Sequence, residues 1–480
     1  MKSVGIIGGG LAGLTAAVSL SERGYKVKLF HLNGSNSERI QAGISLPITS
    51  GDSLHLHAMD TMRVGLYIND EEAVWATLSK STEAYDFLKR IGVRFEMVEL
   101  EAGHSRPRVF SIRNETGLHV INALREKVEE LGVEMLERMA IGLIIEEGKC
   151  YGIIDEKGES HFFNHTIIAS GGYTGLYKRT AGYPGNTGMI LGDYIGKGGI
   201  ASNLEFVQFH PTGYITSKGK IMLISEAVRG SGAKLVNEEG ERFVNELAPR
   251  DVVSIAVYRQ EREGHSVFLD ARNINDFEAR FPSIYSYLTN DGIDPLKDLI
   301  PITPIAHYSI GGVMVDVYYS TNIKGLYAIG EAADSGFHGA NRLASNSSLE
   351  CIVSGLEVAR TLSRKEGVDL SNARPESLKT VSSSSFIERV REVMWNFVGL
   401  ERDSKGLINA LNFFRNKELP QQIRDLGLGI SSCAMLRQES RGAHFRRDYP
   451  YIDERYRHRS LYKGGICYIG SFSYYVKAQE

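Results

Sequence analysis

The sequence is poor in cysteine, proline and tryptophan, carries no surplus of charge of either sign, and has no uninterrupted apolar run. Its four cysteines stand at 150, 351, 433 and 467. None is at C-x-x-C spacing, which argues against a zinc or iron–sulfur centre built within the chain. So few also exclude a disulfide framework and fit a reducing compartment, so a cytoplasmic location is expected. Only 12 prolines, and no Gly-X-Y period, exclude a collagen-like chain. Lys and Arg number 55 against 58 Asp and Glu, a net charge of −3. That balance removes the electrostatic basis of nucleic-acid binding. The longest apolar run, Val4 to Leu20, is broken by Gly8, Gly9, Gly10 and Gly13 and preceded only by Lys2. It is not expected to act as a signal peptide or a membrane span.

Hydrophobic residues make up 42% of the chain and charged residues 24%, as in ordinary soluble globular proteins. A length of 480 residues allows about two to four domains with proper cores. Glycine is the one excess: 51 residues against about 34 at the usual rate. Of these, 21 fall within residues 5–13, 171–199 and 311–339; the remainder of the chain is ordinary in glycine. Such clusters permit the tight turns and close backbone approaches that nucleotide-binding folds need.

The N-terminus reads as strand, glycine turn and helix: Val4 to Ile7, then Gly8 to Gly13, then Leu14 to Arg23 closed by Gly24, with Tyr25 to Phe30 as a second strand. Asp70 to Ile91 reads as one long helix capped by Asn69 or Asp70, and Thr116 to Leu131 as another. Residues 133–170 are strand-rich. From about Leu204 to Tyr308 short elements carry clustered His, Arg and Glu; Leu326 to Glu331 then resumes the earlier style, and a Ser-rich stretch, Ser382 to Ser385, leads into helical patterns. The expected fold is α/β: a Rossmann-like dinucleotide-binding domain in two parts (1–203 and 309–375), an inserted α+β capping domain (204–308), and a C-terminal helical domain with a tail (376–480).

Gly8-x-Gly10-x-x-Gly13 follows a strand and opens a helix, the context in which glycines admit a pyrophosphate to the helix N-terminus. The acid that usually ends the second strand is absent; Phe30 is followed by His31, Leu32 and Asn33. This motif alone does not separate FAD from NAD. Gly330-Glu331, ending another strand, places a carboxylate where it could meet a ribose or ribitol hydroxyl. In the inserted segment His210, Ser225, Glu226, Arg229, Arg250 and His307 stand among apolar residues, and Asn341-Arg342-Leu343-Ala344-Ser345-Asn346-Ser347 follows later. Two arginines with two histidines suit a dicarboxylate, because guanidinium pairs bidentately with carboxylate.

These segments, together with Arg437-Gln438-Glu439-Ser440-Arg441-Gly442-Ala443-His444, resemble the succinate dehydrogenase / fumarate reductase flavoprotein family over nearly the whole chain, and within it the L-aspartate oxidase branch. The resemblance implies FAD held by Gly8, Gly10, Leu11, Ala12, Gly13, Gln41, Ala42, Gly43, Gly171, Gly172, Glu331, Asn346 and Ser347. It further implies a C4-dicarboxylate lying on the flavin. His210 and Ser225 would hold one carboxylate and His307 and Arg342 the other. Arg250 would move a proton, with Glu226 and Arg229 as its relay. The three glycine-rich segments match parts of the family fold at or beside the flavin.

Three features select within the family. Asn36 stands about where membrane-bound members carry a histidine linked to the flavin, so FAD is expected to be non-covalent. Glu101-Ala102-Gly103-His104-Ser105 is similar to a segment of the aspartate oxidases, and a carboxylate at Glu101 could pair with a substrate ammonium. The missing acid after Phe30 is also shared with them. Ala42, Thr187-Gly188-Met189-Ile190 and Ser225 depart from the family pattern without removing a catalytic group. The implied activity is oxidation of L-aspartate to iminosuccinate with O2 or fumarate as acceptor, linked to quinolinate synthase in NAD synthesis, with no metal, nucleic acid or membrane. A soluble fumarate reductase or a dehydrogenase flavoprotein subunit is the alternative.

Overall fold

The computed structural model describes residues 2–113, 115–183, 185–376 and 384–470; Ser382 and Ser383 of the Ser-rich stretch lie outside them. Five short apolar segments form one parallel sheet: Ser3–Ile7, Lys26–His31, Glu134–Glu137, His165–Ile168 and Leu326–Ala328. Numbered by appearance, their order across the sheet is 3-2-1-4-5, the doubly wound arrangement. Strands buried on both faces need continuous apolar runs, and Val4, Ile6, Leu29, Ile167 and Ile168 supply them, all fully buried. The order reverses between Ser3–Ile7 and His165–Ile168, and ligands bind at such a switch point, beyond the carboxyl ends of the strands.

The two halves of this domain are joined by helix packing. The helix Leu11–Ser21 lies against Asn346–Arg364, so closely that a Cβ on Gly355 would meet Thr15 Cβ at 2.8 Å and the Ala12 carbonyl at 2.9 Å. Residues 204–308 add no strand to the parallel sheet. They form two three-stranded antiparallel sheets, Ile221–Leu223 / Val207–Ile215 / Thr303–Ser309 and Lys234–Asn237 / Val267–Asp270 / Ile300–Pro301. Their own core contains Tyr214, Leu235, Val253, Leu269 and Phe277.

The chain from 384 on begins with three helices, Ser384–Phe397, Ser404–Phe414 and Gln421–Leu436. It then differs from a purely helical unit. Ser460–Lys463 and Ile466–Ile469 make a hairpin whose first strand pairs with Ala201–Ser202 of the nucleotide-binding domain. Before the hairpin lies a buried charge cluster. Arg437 meets Glu205 (2.6 Å) and Glu439 (2.9 Å), Arg441 meets the same Glu439 oxygen (2.9 Å), and His444 Nδ1 accepts from Arg402 (2.7 Å). The Arg-x-Glu-Ser-Arg-Gly-x-His segment is thus a clamp onto Glu205, which lies at the start of the inserted domain.

One expected element divides. Asp70 caps a helix, accepting from Ala73 N, but that helix is Glu71–Leu78, and a second runs Ser81–Arg90. The hydroxyls of Ser79 and Ser81 turn back to the carbonyls of Ala76 and Leu78, the competition with the backbone that interrupts helices. Lys80 between them reaches Glu357. Among the described residues no helix is long and apolar enough to cross a membrane.

Candidate active site

The switch point of the sheet and the inserted domain wall a cavity of about 560 Å³. On its sheet side lie Gly8, Gly10, Leu11 and Ala12. Gly8 has φ +119°, and a Cβ there would stand 2.1 Å from the Ala169 carbonyl. Gly13 sits behind the wall; its missing Cβ lets the helix approach the turn, where the Gly8 carbonyl would be 1.9 Å away. The helix Leu11–Ser21 has no side-chain cap at Gly10 and no acid in its first turn, leaving an N-terminus suited to a phosphate. The Leu11 amide donates to Ser37 Oγ at 3.0 Å.

Gln41, Ala42 and Gly43 continue the wall. Gln41 Nε2 donates to the Leu223 carbonyl at 3.2 Å, while its Oε1 is buried without a hydrogen-bond partner. Such an orphan calls for a ligand donor. Gly171 lines the cavity with φ +73°. Gly172 lies behind: a Cβ would strike Ser309 Oγ and Glu331 Oε1, so its absence admits the contact in which Ser309 N and Oγ both donate to Glu331 at 3.0 Å. Glu331 faces the cavity, and burial raises its pKa. Ser347 is also on the wall, whereas Asn346 is buried behind it, accepting from Ser45 Oγ and His57 Nε2, both at 2.7 Å, and donating to Thr61 at 2.9 Å. A glycine turn on a helix N-terminus with no acid in its first turn, an unpartnered amide oxygen and a buried Glu fit a dinucleotide such as FAD.

The same cavity takes in the charged set. His210, Ser225, Glu226, Arg250, His307, Arg342 and Glu101 all line it. Glu226 Oε2 accepts from Arg250 Nε at 2.6 Å, and its Oε1 stands 3.7 Å from Arg229. Arg229 is buried behind the wall with Nη1 on the Glu246 carbonyl. Burial works to raise the Glu226 pKa, but Arg250 and Arg229 outweigh it, so the group stays a carboxylate. Arg342 donates to His307 Nε2 (3.2 Å) and Ser347 Oγ (3.0 Å) and lies 4.9 Å over the Tyr308 ring. Burial, with Arg250 nearby, lowers Arg342 to about 10, leaving it charged at neutral pH.

Both histidines are neutral, because burial and the surrounding arginines hold their pKa values well below the usual range. Their tautomers follow from their partners. Thr212 N donates to His210 Nδ1 at 3.3 Å, so the proton is on Nε2. Arg342 donates to His307 Nε2, so there the proton is on Nδ1. The rings approach edge-on at 5.5 Å. Two guanidinium cations and two neutral imidazoles converge here, the composition that binds two carboxylates.

Gln208 had no expected role, yet its Oε1 accepts from both Arg250 (3.2 Å) and Arg342 (3.3 Å), while its Nε2 donates to Asn341 Oδ1 (2.7 Å) and the Arg342 carbonyl (3.0 Å). Its place two residues before His210 in the strand Val207–Ile215 is the signal that would have found it.

Glu101 enters from a loop between Met97–Glu99 and Val109–Ser111. Asp60 pins that loop, accepting from Ser105 N, Ser105 Oγ and Arg108 Nη1, each at 2.7 Å, and Arg108 forks onto Asp52 with two bonds of 2.8 Å. Ser345 Oγ donates to Glu101 Oε2 at 2.8 Å. Burial pushes the Glu101 carboxyl up to about 7, against the Ser345 bond and with Glu226 adding to the rise.

The chain matches the FAD binding domain family over residues 3–348 and the fumarate reductase flavoprotein C-terminal family over residues 417–467. The L-aspartate oxidase of Pyrococcus abyssi is 50% identical to it, covering 96% of this chain and 98% of that protein. That of Saccharolobus solfataricus is 37% identical, covering 93% and 96%. An E. coli quinol fumarate reductase structure shares its fold, with a TM-score of 0.84 at 23% identity over 98% of this chain and 97% of that one. From the matched domains and these full-length relatives, the chain belongs to the FAD-dependent L-aspartate oxidase family.

Proposed function

We propose that the protein oxidises L-aspartate to iminosuccinate, with O2 (giving H2O2) or fumarate as the electron acceptor, and so opens NAD synthesis in the cytoplasm by supplying quinolinate synthase. The observation that carries this reading is the Glu101 carboxyl in the wall of a cavity that also presents Arg250 and Arg342. Aspartate has two carboxylates for the cations and one ammonium for the acid; succinate has nothing for Glu101, and an unpaired buried carboxylate is costly. A fumarate reductase or dehydrogenase subunit would have no use for that acid.

When bound, FAD takes up a hydride from the substrate and passes two electrons on to the acceptor. The surrounding residues bind, orient and move protons. His210 Nε2–H and Ser225 Oγ hold one carboxylate, and Arg342 with His307 holds the other. Glu101 takes the ammonium and fixes which face of C2 is presented. In the direction of fumarate reduction Arg250 gives a proton to carbon and is reprotonated through Glu226, with Arg229 at the far oxygen of that relay. An arginine acid is unusual, since its unperturbed pKa exceeds 12; what supports the role is the Glu226 carboxylate 2.6 Å from Arg250 Nε, placed to return the proton. Asn36 accepts from Tyr183 N at 2.5 Å and offers no ring nitrogen for a covalent bond, which supports a non-covalent flavin.

The test is oxygen uptake and peroxide production by the purified holoprotein. L-Aspartate should consume O2 with stoichiometric H2O2 and yield oxaloacetate and ammonia after hydrolysis of the imine. Turnover of succinate with aspartate inert would overturn the reading.

A further inference from the structure

Cys433 and Cys467 come from elements 34 residues apart, the helix Gln421–Leu436 and the last strand Ile466–Ile469, and their Sγ atoms stand 2.7 Å apart. Both are free thiols. Two unbonded sulfurs are crowded at that separation, whereas a covalent bond of about 2.05 Å is reached by a movement of less than about 1 Å. The two cysteines differ in access: Cys433 is fully buried and Cys467 half-buried. Cys150 and Cys351 have no such neighbour; the Cys150 thiol donates to the Gly152 carbonyl at 3.7 Å, and Cys351 lines the cofactor cavity.

We propose that Cys433 and Cys467 are a peroxide-made, thiol-reversible disulfide site that fastens the C-terminal hairpin to the helix Gln421–Leu436. The chemistry is balanced without a further reactant. The half-buried Cys467 thiol attacks hydrogen peroxide, breaking the O–O bond and giving a sulfenic acid and one water. The Cys433 thiol then displaces the hydroxyl, forming the S–S bond and a second water. Two thiols are oxidised and one peroxide reduced; a small thiol reverses the step by exchange. Burial pushes the Cys433 thiol well up and makes it the poorer nucleophile, so the more accessible Cys467 is the first point of attack.

The link would close the loop that holds the Arg437–Glu439–Arg441 cluster. The helix it fastens packs on Met189–Gly196, where a Cβ on Gly192 would meet the Gln422 carbonyl at 1.9 Å, and Met189 and Ile190 line the cofactor cavity. The bond therefore braces the wall behind the flavin of an enzyme whose own product is the oxidant; that source of peroxide rests on the function proposed above, and the site itself does not.

The experiment uses the full-length holoprotein, reduced, desalted, and divided into untreated, H2O2-treated and aspartate-plus-O2 samples. Each is denatured with iodoacetamide and no reductant, then weighed intact and mapped as peptides. The expected result is four alkylated cysteines in the untreated sample and two, Cys150 and Cys351, after peroxide, with a linked peptide pair containing Cys433 and Cys467. The oxidised protein should melt several degrees higher, and dithiothreitol should abolish the difference. Alkylation of all four cysteines after peroxide, or a link involving Cys150, Cys351 or a second chain, overturns the proposal. A link made by added peroxide but not by aspartate turnover supports the site and contradicts the oxidase reading. A link that aspartate forms and catalase suppresses supports both.

Discussion

The Ser345 hydroxyl donates to Oε2 of Glu101 across 2.8 Å, and Ser345 does so from a left-handed backbone conformation, φ +61°. A non-glycine residue held there is strained, and such strain collects at functional sites. The pair joins the loop that carries the proposed ammonium ligand to the segment that carries Arg342 and Ser347, so the two groups proposed to take the substrate's ammonium and one of its carboxylates are set by one contact.

Replacing Glu101 by Gln removes the charge and keeps the shape. A hydrogen bond to a charged group contributes about 1.5–3 kcal/mol, so kcat/KM for L-aspartate should fall roughly 10- to 100-fold, while fumarate reduction by reduced enzyme is spared. Equal loss of both activities would make Glu101 a structural residue.

The same carboxyl predicts a pH profile. Its pKa is raised to about 7, and aspartate binding needs the ionised form, so kcat/KM for aspartate should climb as pH rises through about 7 and level off above it. Fumarate reduction should lack this limb, and so should the Glu101→Gln enzyme. A limb of equal size in both reactions would place the titration elsewhere.

Arg250→Lys keeps a cation but loses the forked geometry that reaches Glu226 Oε2 and Gln208 Oε1 together. Loss of a positioned proton donor costs about 10²- to 10⁴-fold, and fumarate turnover should drop by that order. Unchanged turnover would remove Arg250 from the proton path.

Gln208→Leu tests the bridge between the two arginines. Without its Oε1, Arg250 and Arg342 repel without a shared acceptor, and KM for both dicarboxylates should rise roughly 10-fold, with a smaller change in kcat. Restoration by Gln208→Glu, which returns an acceptor, would mark a positioning role; a kcat defect with normal KM would contradict it.

His57, His104 and His165 are also buried in their neutral forms. Burial lowers His57 to about 3, with Arg108 contributing; it lowers His104 to about 4, and His165 likewise. Between pH 6.5 and about 4 the unfolded chain binds protons that the folded chain refuses, so stability is full above pH 6.5 and falls as the pH drops through that window. Thermal midpoints against pH should show this decline, and His104→Gln should make it shallower; an identical slope would show that His104 does not carry it.

The βαβ opening, the split sheet and the set His210, Glu226, Arg250, His307 and Arg342 were readable from the sequence, because they depend on local patterns: apolar runs, glycines at fixed offsets, and polar groups set among apolar ones. Glu101 was singled out only by the family resemblance, and Glu38, Arg39, Glu115, Arg138 and Lys220 also line the wall without having been named. Gln208 was not, since a glutamine gains its role only when two arginines arrive from residues 250 and 342. Gly13, Gly172 and Asn346 sit behind the wall rather than on it, and a spacing motif does not distinguish a residue that touches a ligand from one that makes room for its neighbour. The break at Ser79–Ser81 depends on hydroxyls turning back to helix carbonyls, against an apolar period that continues across it. The C-terminal hairpin exists because Ala201–Ser202 offers a strand edge, a partner some 260 residues away that no local pattern announces.

The most direct test is anaerobic mixing of the flavin-loaded protein with L-aspartate or with succinate while flavin absorbance is recorded. Bleaching by aspartate and none by succinate is the result expected from Glu101 beside Arg250 and Arg342. Bleaching by succinate alone would contradict it.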